Sequence, residues 1–357
     1  MLCRVAEDVL WMSRYVERSL AVGRLIEVSQ HLEFDEHDDP AMRAARWAPL
    51  LAPRPNDGPL PPLVLDVAVE REAARTVRQW LAFHKENPRS IVACIDRART
   101  AARQVRERIS SEMWESLNSL HLFLSNPALP EVAERNPHAF FQRIRNEAQL
   151  IQGLADATLA HDECWRFVRL GTYLERADNV AHTLALQAHL LRDDGRNEAD
   201  MVRWIGVLRS CGAAEGYARY YSLRVEPARV VEFLLLNAQF PQSVRFSLRQ
   251  AWDALRALSA DDSMLEVPRQ SASSATRALG LLTAQLEHAT VDDIIEGGLQ
   301  DYLNRVQHDL ARVTDHVTRV YLRDEPHEGR LGGVARAIRL MAEQQQQQQL
   351  RPHRAGR

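Results

Sequence analysis

Arg14-Tyr15-Val16-Glu17-Arg18 and, far along the same chain, Thr172-Tyr173-Leu174-Glu175-Arg176 set a glutamate beside an arginine twice. Neighbouring residues on a helix point about 100° apart, so each glutamate must find its partner elsewhere. Separations of three, four and seven put Arg14, Glu17, Arg18 and Arg24 on one broad helix side. A second two-faced segment, 106–124, carries Arg108, Ser111, Glu112, Glu115 and Asn118 opposite Met113, Leu117, Leu120 and Leu124. If its polar side meets the Tyr-x-Glu-Arg helices, carboxylates of three helices converge with several arginines. Three kinds of chemistry suit such a set: solvated surface pairing, a buried charge network, or a pocket that grips a carboxylate or phosphate through arginine forks.

Other chemistries lack their residues. A di-iron bundle needs Glu-x-x-His pairs on its helices, and the chain has none. It also lacks H-E-x-x-H, a P-loop and G-x-G-x-x-G, and Gly297-Gly298 and Gly332-Gly333 stand in the wrong context for a phosphate cradle. Neither a metal nor a cofactor is expected. The histidines, His182 and His189 among them, are scattered, and the seven tryptophans fall in apolar helical registers that read as core.

The elements that must position these residues are helices, and no alternating run reads as a strand. Leu2, Val5, Val9, Met12 and Val16 recur at intervals of three and four, predicting a packed helix over 2–31, with Ser19 and Gly23 small enough for another helix to approach. An apolar residue lies one heptad before each motif glutamate, Leu10 before Glu17 and Val168 before Glu175. Such a setting predicts that the charges are at least partly enclosed and that the motif helices form an approximate internal repeat. Seven of the sixteen prolines lie between 40 and 62, so 35–65 reads as a loop or lid with at most a short helix near 41–51. Asn87-Pro88 predicts the start of a long helical stretch to about 125, Asn136-Pro137 repeats that signal, and Asp162 caps the second motif helix, expected to end near Gly195. Further helices fit 198–222, 228–236, 242–258, 272–288 and 291–322, with breaks near Gly212, Pro227, Pro241 and Pro268. The fold class is all-α, a multi-helix bundle over 1–322. Six glutamines at 344–349 and an arginine-bearing end predict a disordered tail over 323–357.

Composition narrows the setting. The chain has 357 residues, 45% of them apolar, enough to bury a substantial core. Its 45 basic and 48 acidic residues give a net charge of -3, with no general pull toward nucleic acid or an anionic membrane. Only Lys85 interrupts an otherwise all-arginine basic set, which cautions against taking each arginine for a ligand fork. Cys3, Cys94, Cys164 and Cys211 form no paired motif and suit a reducing compartment. Charges at Arg4, Glu7, Asp8 and Arg14 interrupt any signal-peptide core, and no stretch is apolar enough to span a membrane, so the expected address is cytoplasmic.

Four blocks in order, "WMSRYVERSLAVGRLIEV", "NPRSIVACIDRARTAARQVRERISSEMWESLN", "LGTYLERAD" and "VEFLLLNAQFPQSVRFSL", resemble the bacterial alpha-E family, named for its helices and a Glu-Arg motif. The resemblance covers about 2–322 and carries its motif positions onto Arg14, Tyr15, Glu17, Arg18, Arg24, Glu112, Trp114, Glu115, Asn118, Tyr173, Glu175, Arg176 and Arg245. Thr172 and His182 depart, standing where relatives tend to have arginine. The resemblance implies a circularly permuted ATP-grasp protein as partner, and often a transglutaminase-like protein, in peptide or amide-bond metabolism. Three roles are then open: a helical companion that binds or presents an acidic or peptide-like substrate, an enzyme using Glu17, Glu175 or Glu115 as acid or base, and a structural partner in which the motifs are internal ties.

Overall fold

Side-chain oxygens start several of the helices, the second motif helix among them. In the computed structural model, residues 1, 3–35, 48–51, 73–191, 198–221, 224–260 and 269–322 are described. Among them are fourteen α-helices and no strand: α1 (Cys3–Asp35), α2 (Ala73–Ala82), α3 (Ile91–Gln104), α4 (Ser111–Leu124), α5 (Leu129–Arg135), α6 (Pro137–Thr158), α7 (Glu163–Ala185), α8 (Glu198–Ser210), α9 (Ala214–Tyr221), α10 (Pro227–Leu236), α11 (Val244–Ala260), α12 (Arg269–His288), α13 (Val291–Glu296) and α14 (Leu299–Val317). The fold is all-α. As expected, Asn136 caps α6 by accepting from the Ala139 N–H, and Asp162 caps α7 by accepting from Cys164 and Trp165.

The helical stretch expected over 87–125 is instead two helices. Ser90, not Asn87, caps α3, accepting from the Ala93 N–H at 3.1 Å. The chain leaves the helix at Val105 and restarts where Ser110 accepts from the Met113 N–H. Asn87 is buried and folds the preceding loop: its amide donates to the Trp80 carbonyl, and its oxygen accepts from the Arg89 N–H. The second motif helix stops at Ala185, short of the predicted end, and a 3-10 turn follows at Ala188–Leu191. Gly298, at φ 91, divides the stretch expected to be one helix over 291–322, and that stretch closes in a π turn at Thr318–Leu322. Short helices α2 and α5 carry no counterpart in the sequence reading.

Two closed rings of four helices make the body. α1 packs on α3, α3 on α4, α4 on α6, and α6 returns to α1; α7 packs on α11, α11 on α12, α12 on α14, and α14 returns to α7. The rings meet where α1 lies along α7. Met1 bonds Glu163 near the start of both helices, and Glu17 meets Arg176 further on, so the two run parallel. Phe167, Trp204, Tyr217 and Phe233 are among the largest fully buried side chains. Residues Met1–Leu322 form one unit. Of the loop or lid at 35–65 only Asp35, the end of α1, and a 3-10 turn at Ala48–Leu51, with Leu51 buried, are described; its remainder and the tail at 323–357 lie outside the described residues.

Candidate functional site

Gly171 sets the distance between the motif helices. A Cβ there would overlap Ser13 Oγ and the Leu10 carbonyl, so only glycine lets α7 lie this close to α1. Gly23, expected to serve such an approach, meets Ile144, Phe141 and Ile91 at ordinary contact distances instead.

Across this seam the two motifs exchange partners. Arg18 donates from Nε and Nη2 to the two oxygens of Glu175, at 2.6 and 2.8 Å. Arg176 donates from Nε and Nη2 to the two oxygens of Glu17, at 2.8 and 3.0 Å. Each pair is a bidentate fork, the strongest geometry open to these groups. Arg14 adds a bond from Nε to Glu175 at 2.9 Å and one from Nη1 to Thr314 of α14 at 3.0 Å. Gln152 of α6 donates to Glu17 and accepts from Arg176, joining the first ring to the clamp. Glu175 is wholly buried and Glu17 nearly so. The tyrosines flank their own arginines, Tyr15 beneath Arg18 and Tyr173 beneath Arg176, at 5.6 and 4.9 Å from ring centre to guanidinium.

The electrostatics follow from this geometry. Burial by itself would raise the Glu175 pKa, but the adjacent Arg18 and Arg14 charges override it and hold the carboxyl well below its usual range. Burial would likewise lower Arg18, and the Glu175 carboxylate reverses the sign. Arg24, expected on the same side, forms no ion pair among the described residues. Its guanidinium rests against Gly212, whose φ is 61, and burial lowers its pKa.

Several expected members stand apart. Glu112 and Glu115 are exposed on α4, so the three-helix convergence of carboxylates does not form. Asn118 accepts from Arg99 Nε at 2.8 Å, and Trp114 lies under Arg99 and Arg106. Arg245 donates to the Leu236 carbonyl at the end of α10, tying off that helix, and forms no bond to Glu17 or Glu175 among the described residues. Among the described residues no three His, Cys, Asp or Glu side chains gather as metal ligands. No helix there is long and apolar enough to cross a membrane.

Arg89, Arg97 and Gln152 went unnoticed in the sequence. Arg89 Nη2 stands 3.7 Å from Glu175, and with Trp11, Arg14, Arg97, Asp178 and Thr314 it borders an open cleft of about 220 Å³ beside the Glu175 end of the clamp. A signal was present: Pro88-Arg89-Ser90 before α3 has a counterpart in Pro241-Gln242-Ser243 before α11. Ser243 accepts from the Phe246 N–H as Ser90 does from Ala93.

A family model described as "a predicted alpha-helical domain with a conserved ER motif", Alpha-E, matches residues 1–322. Uncharacterised proteins of Mycobacterium bovis and Mycobacterium tuberculosis are 22% identical over 331 residues, a match covering 89% of this chain and 37% of each relative. The chain thus spans little more than a third of the curated relatives it matches. No solved structure matches it.

Proposed function

The chain belongs to the Alpha-E family, and from that premise we propose that it is a helical companion of a circularly permuted ATP-grasp amidoligase, binding or presenting an acidic or peptide-like substrate in the cytoplasm. One observation carries the reading: an open cleft edged by Arg14, Arg18, Arg89 and Arg97 lies directly beside the clamp. Forks of this kind suit carboxylate recognition. The length of the relatives adds support, because a domain found within a much longer chain works beside further domains. A transglutaminase-like protein is the second partner in this reading.

The motif carboxylates are poor candidates for acid or base. A general acid must hold and release a proton near working pH, and Glu175 is kept ionised with both oxygens bonded. Glu17 is bonded at both oxygens as well. The clamp is a tie that joins two rings, and ligand binding falls to the arginines beside it. The matching helix order of the rings further supports an ancestral duplication behind the repeated motif helix.

Co-purification with the ATP-grasp protein, then an amide-formation assay with each protein alone and both mixed, tests the proposal. Mixing should change the partner's rate or product, and this chain alone should ligate nothing. Absence of both association and any change in partner activity would overturn the companion role and leave the clamp as an internal tie.

A further inference from the structure

The molecule contains its own control for what a Glu-Arg clamp requires. Matching the motifs aligns Arg14 with Thr172 and Arg18 with Arg176, and matching the two Pro-x-Ser caps aligns Arg89 with Gln242 and Arg97 with Gln250. Glu17 is therefore held in a corner whose equivalents are Arg176, Thr172, Gln242 and Gln250. Gln242 borders the space beside Glu17 and Arg176, and Gln250 is taken up by Arg169. One guanidinium fork and the Gln152 amide bond Glu17 there, while Arg24 borders the same space without an ion pair among the described residues. At the Glu175 corner three arginines, Arg18, Arg14 and Arg89, reach the carboxylate, and Arg97 edges the cleft beside them.

Arg14 and Arg97 line the cleft with donor capacity to spare. Arg18 is fully engaged with Glu175, whereas Arg14 spans Glu175 and Thr314 from Nε and Nη1, leaving the Nη2 edge of its fork. Arg97 is exposed at the mouth of the cleft, with a long bond of 3.4 Å to the Pro88 carbonyl. Its guanidinium stands 5.9 Å from the Tyr15 ring, so an aromatic wall lies beside the charges. Leu310 and Ala311 supply apolar lining from α14, and Asp178 contributes a carboxylate from α7.

We propose that the Glu175 corner is the single ligand site of this domain, that Arg14, Arg89 and Arg97 bind the carboxylates of an acidic amino acid or acidic peptide terminus, and that Asp178 faces its ammonium. The assignment rests on the companion reading for its substrate class. It goes further in choosing one of two related corners and in naming Arg89, Arg97 and Asp178. A cleft of about 220 Å³ is of the size of a small amino acid derivative.

The test is calorimetric titration of the full chain with L-glutamate, glutarate and inorganic phosphate. L-glutamate should bind saturably at one per chain, weakened by salt. Glutarate, lacking the ammonium, should bind more weakly, and phosphate weaker still. Arg89→Gln and Arg97→Gln copy residues the other corner already carries; each should reduce glutamate affinity about tenfold or more while leaving the thermal midpoint within a degree or so of the parent. Asp178→Asn should weaken glutamate and spare glutarate. Should Arg89→Gln disturb folding, Arg97→Gln decides, because that side chain is exposed. No saturable glutamate binding, two equivalents per chain, or unchanged affinity in Arg97→Gln would each overturn the site. Phosphate binding as tightly as glutamate would overturn the ligand class. Glutamate binding at this corner without any effect on the ATP-grasp partner would support the site while sinking the companion role.

Discussion

Gly171 of α7 lies so near Ser13 of α1 that a side chain at 171 would occupy the space of the Ser13 hydroxyl. That hydroxyl is already bonded to the Leu10 carbonyl at 2.8 Å, so it cannot simply swing away. The clamp depends on this approach, since Arg14 begins one residue after Ser13 and Glu175 one helical turn after Gly171. Gly171→Ala should therefore part the helices and cost about 1–3 kcal/mol or more, read by chemical denaturation. An unchanged denaturation midpoint would show that the seam tolerates spreading.

Removing one member of the clamp should be costly. Glu17→Ala strands the Arg176 guanidinium in a nearly closed setting, at a cost of about 3–5 kcal/mol. Glu17→Ala combined with Arg176→Ala should cost less than the sum of the two single changes, because the second change relieves the charge stranded by the first. Additive losses would contradict an enclosed pair.

Arg14→Lys keeps the charge and loses the fork. A lysine ammonium cannot reproduce the pair of bonds to Glu175 and Thr314, so one charge-assisted bond is lost, about 1.5–3 kcal/mol. Urea unfolding of the variant measures it, and a loss below about 0.5 kcal/mol would mean the lysine satisfies both partners.

The pH dependence has a definite sign. Glu175 is depressed in the folded state from an ordinary value of 4.5, so the unfolded chain takes up this proton first as pH falls. Its stabilising contribution is fully present above about pH 4.5 and drains below it toward the folded-state pKa. Stability measured from pH 6 to pH 3 should fall less steeply in Glu175→Gln than in the parent. Equal slopes would mean that Glu175 titrates normally.

Thiol chemistry gives a check on the packing. Burial pushes the Cys94 thiol up to about 11, and Cys164 and Cys211 up to about 12. Cys3 is half-buried and shows no such enclosure. Native protein at pH 8 should therefore release one equivalent rapidly with DTNB, and the other three thiols should react only on unfolding. Four fast thiols would mean that the core opens readily.

The sequence by itself determined the fold class, the packed first helix, the caps at Asn136 and Asp162, and the enclosure of Glu17 and Glu175. All of these are local: apolar spacing at three and four, or a side-chain oxygen three residues before a backbone N–H that needs a partner. It misplaced the start of α3 because Asn87-Pro88 and Ser90 both offer a cap, and only the contact of Asn87 with the Trp80 carbonyl decides which is used. It gathered Glu112 and Glu115 into the site because helical periodicity tells which residues share a face and not what that face meets, and Arg245 came in with the family resemblance alone. The exchange of partners between Arg18 and Glu175 and between Arg176 and Glu17 required α1 and α7 to run parallel in one register. So did the cleft where Arg89 and Arg97 from α3 and its leading loop meet Asp178 of α7. These are contacts between distant segments, fixed by close packing at Gly171 and by the ring each helix closes, and no local pattern encodes them.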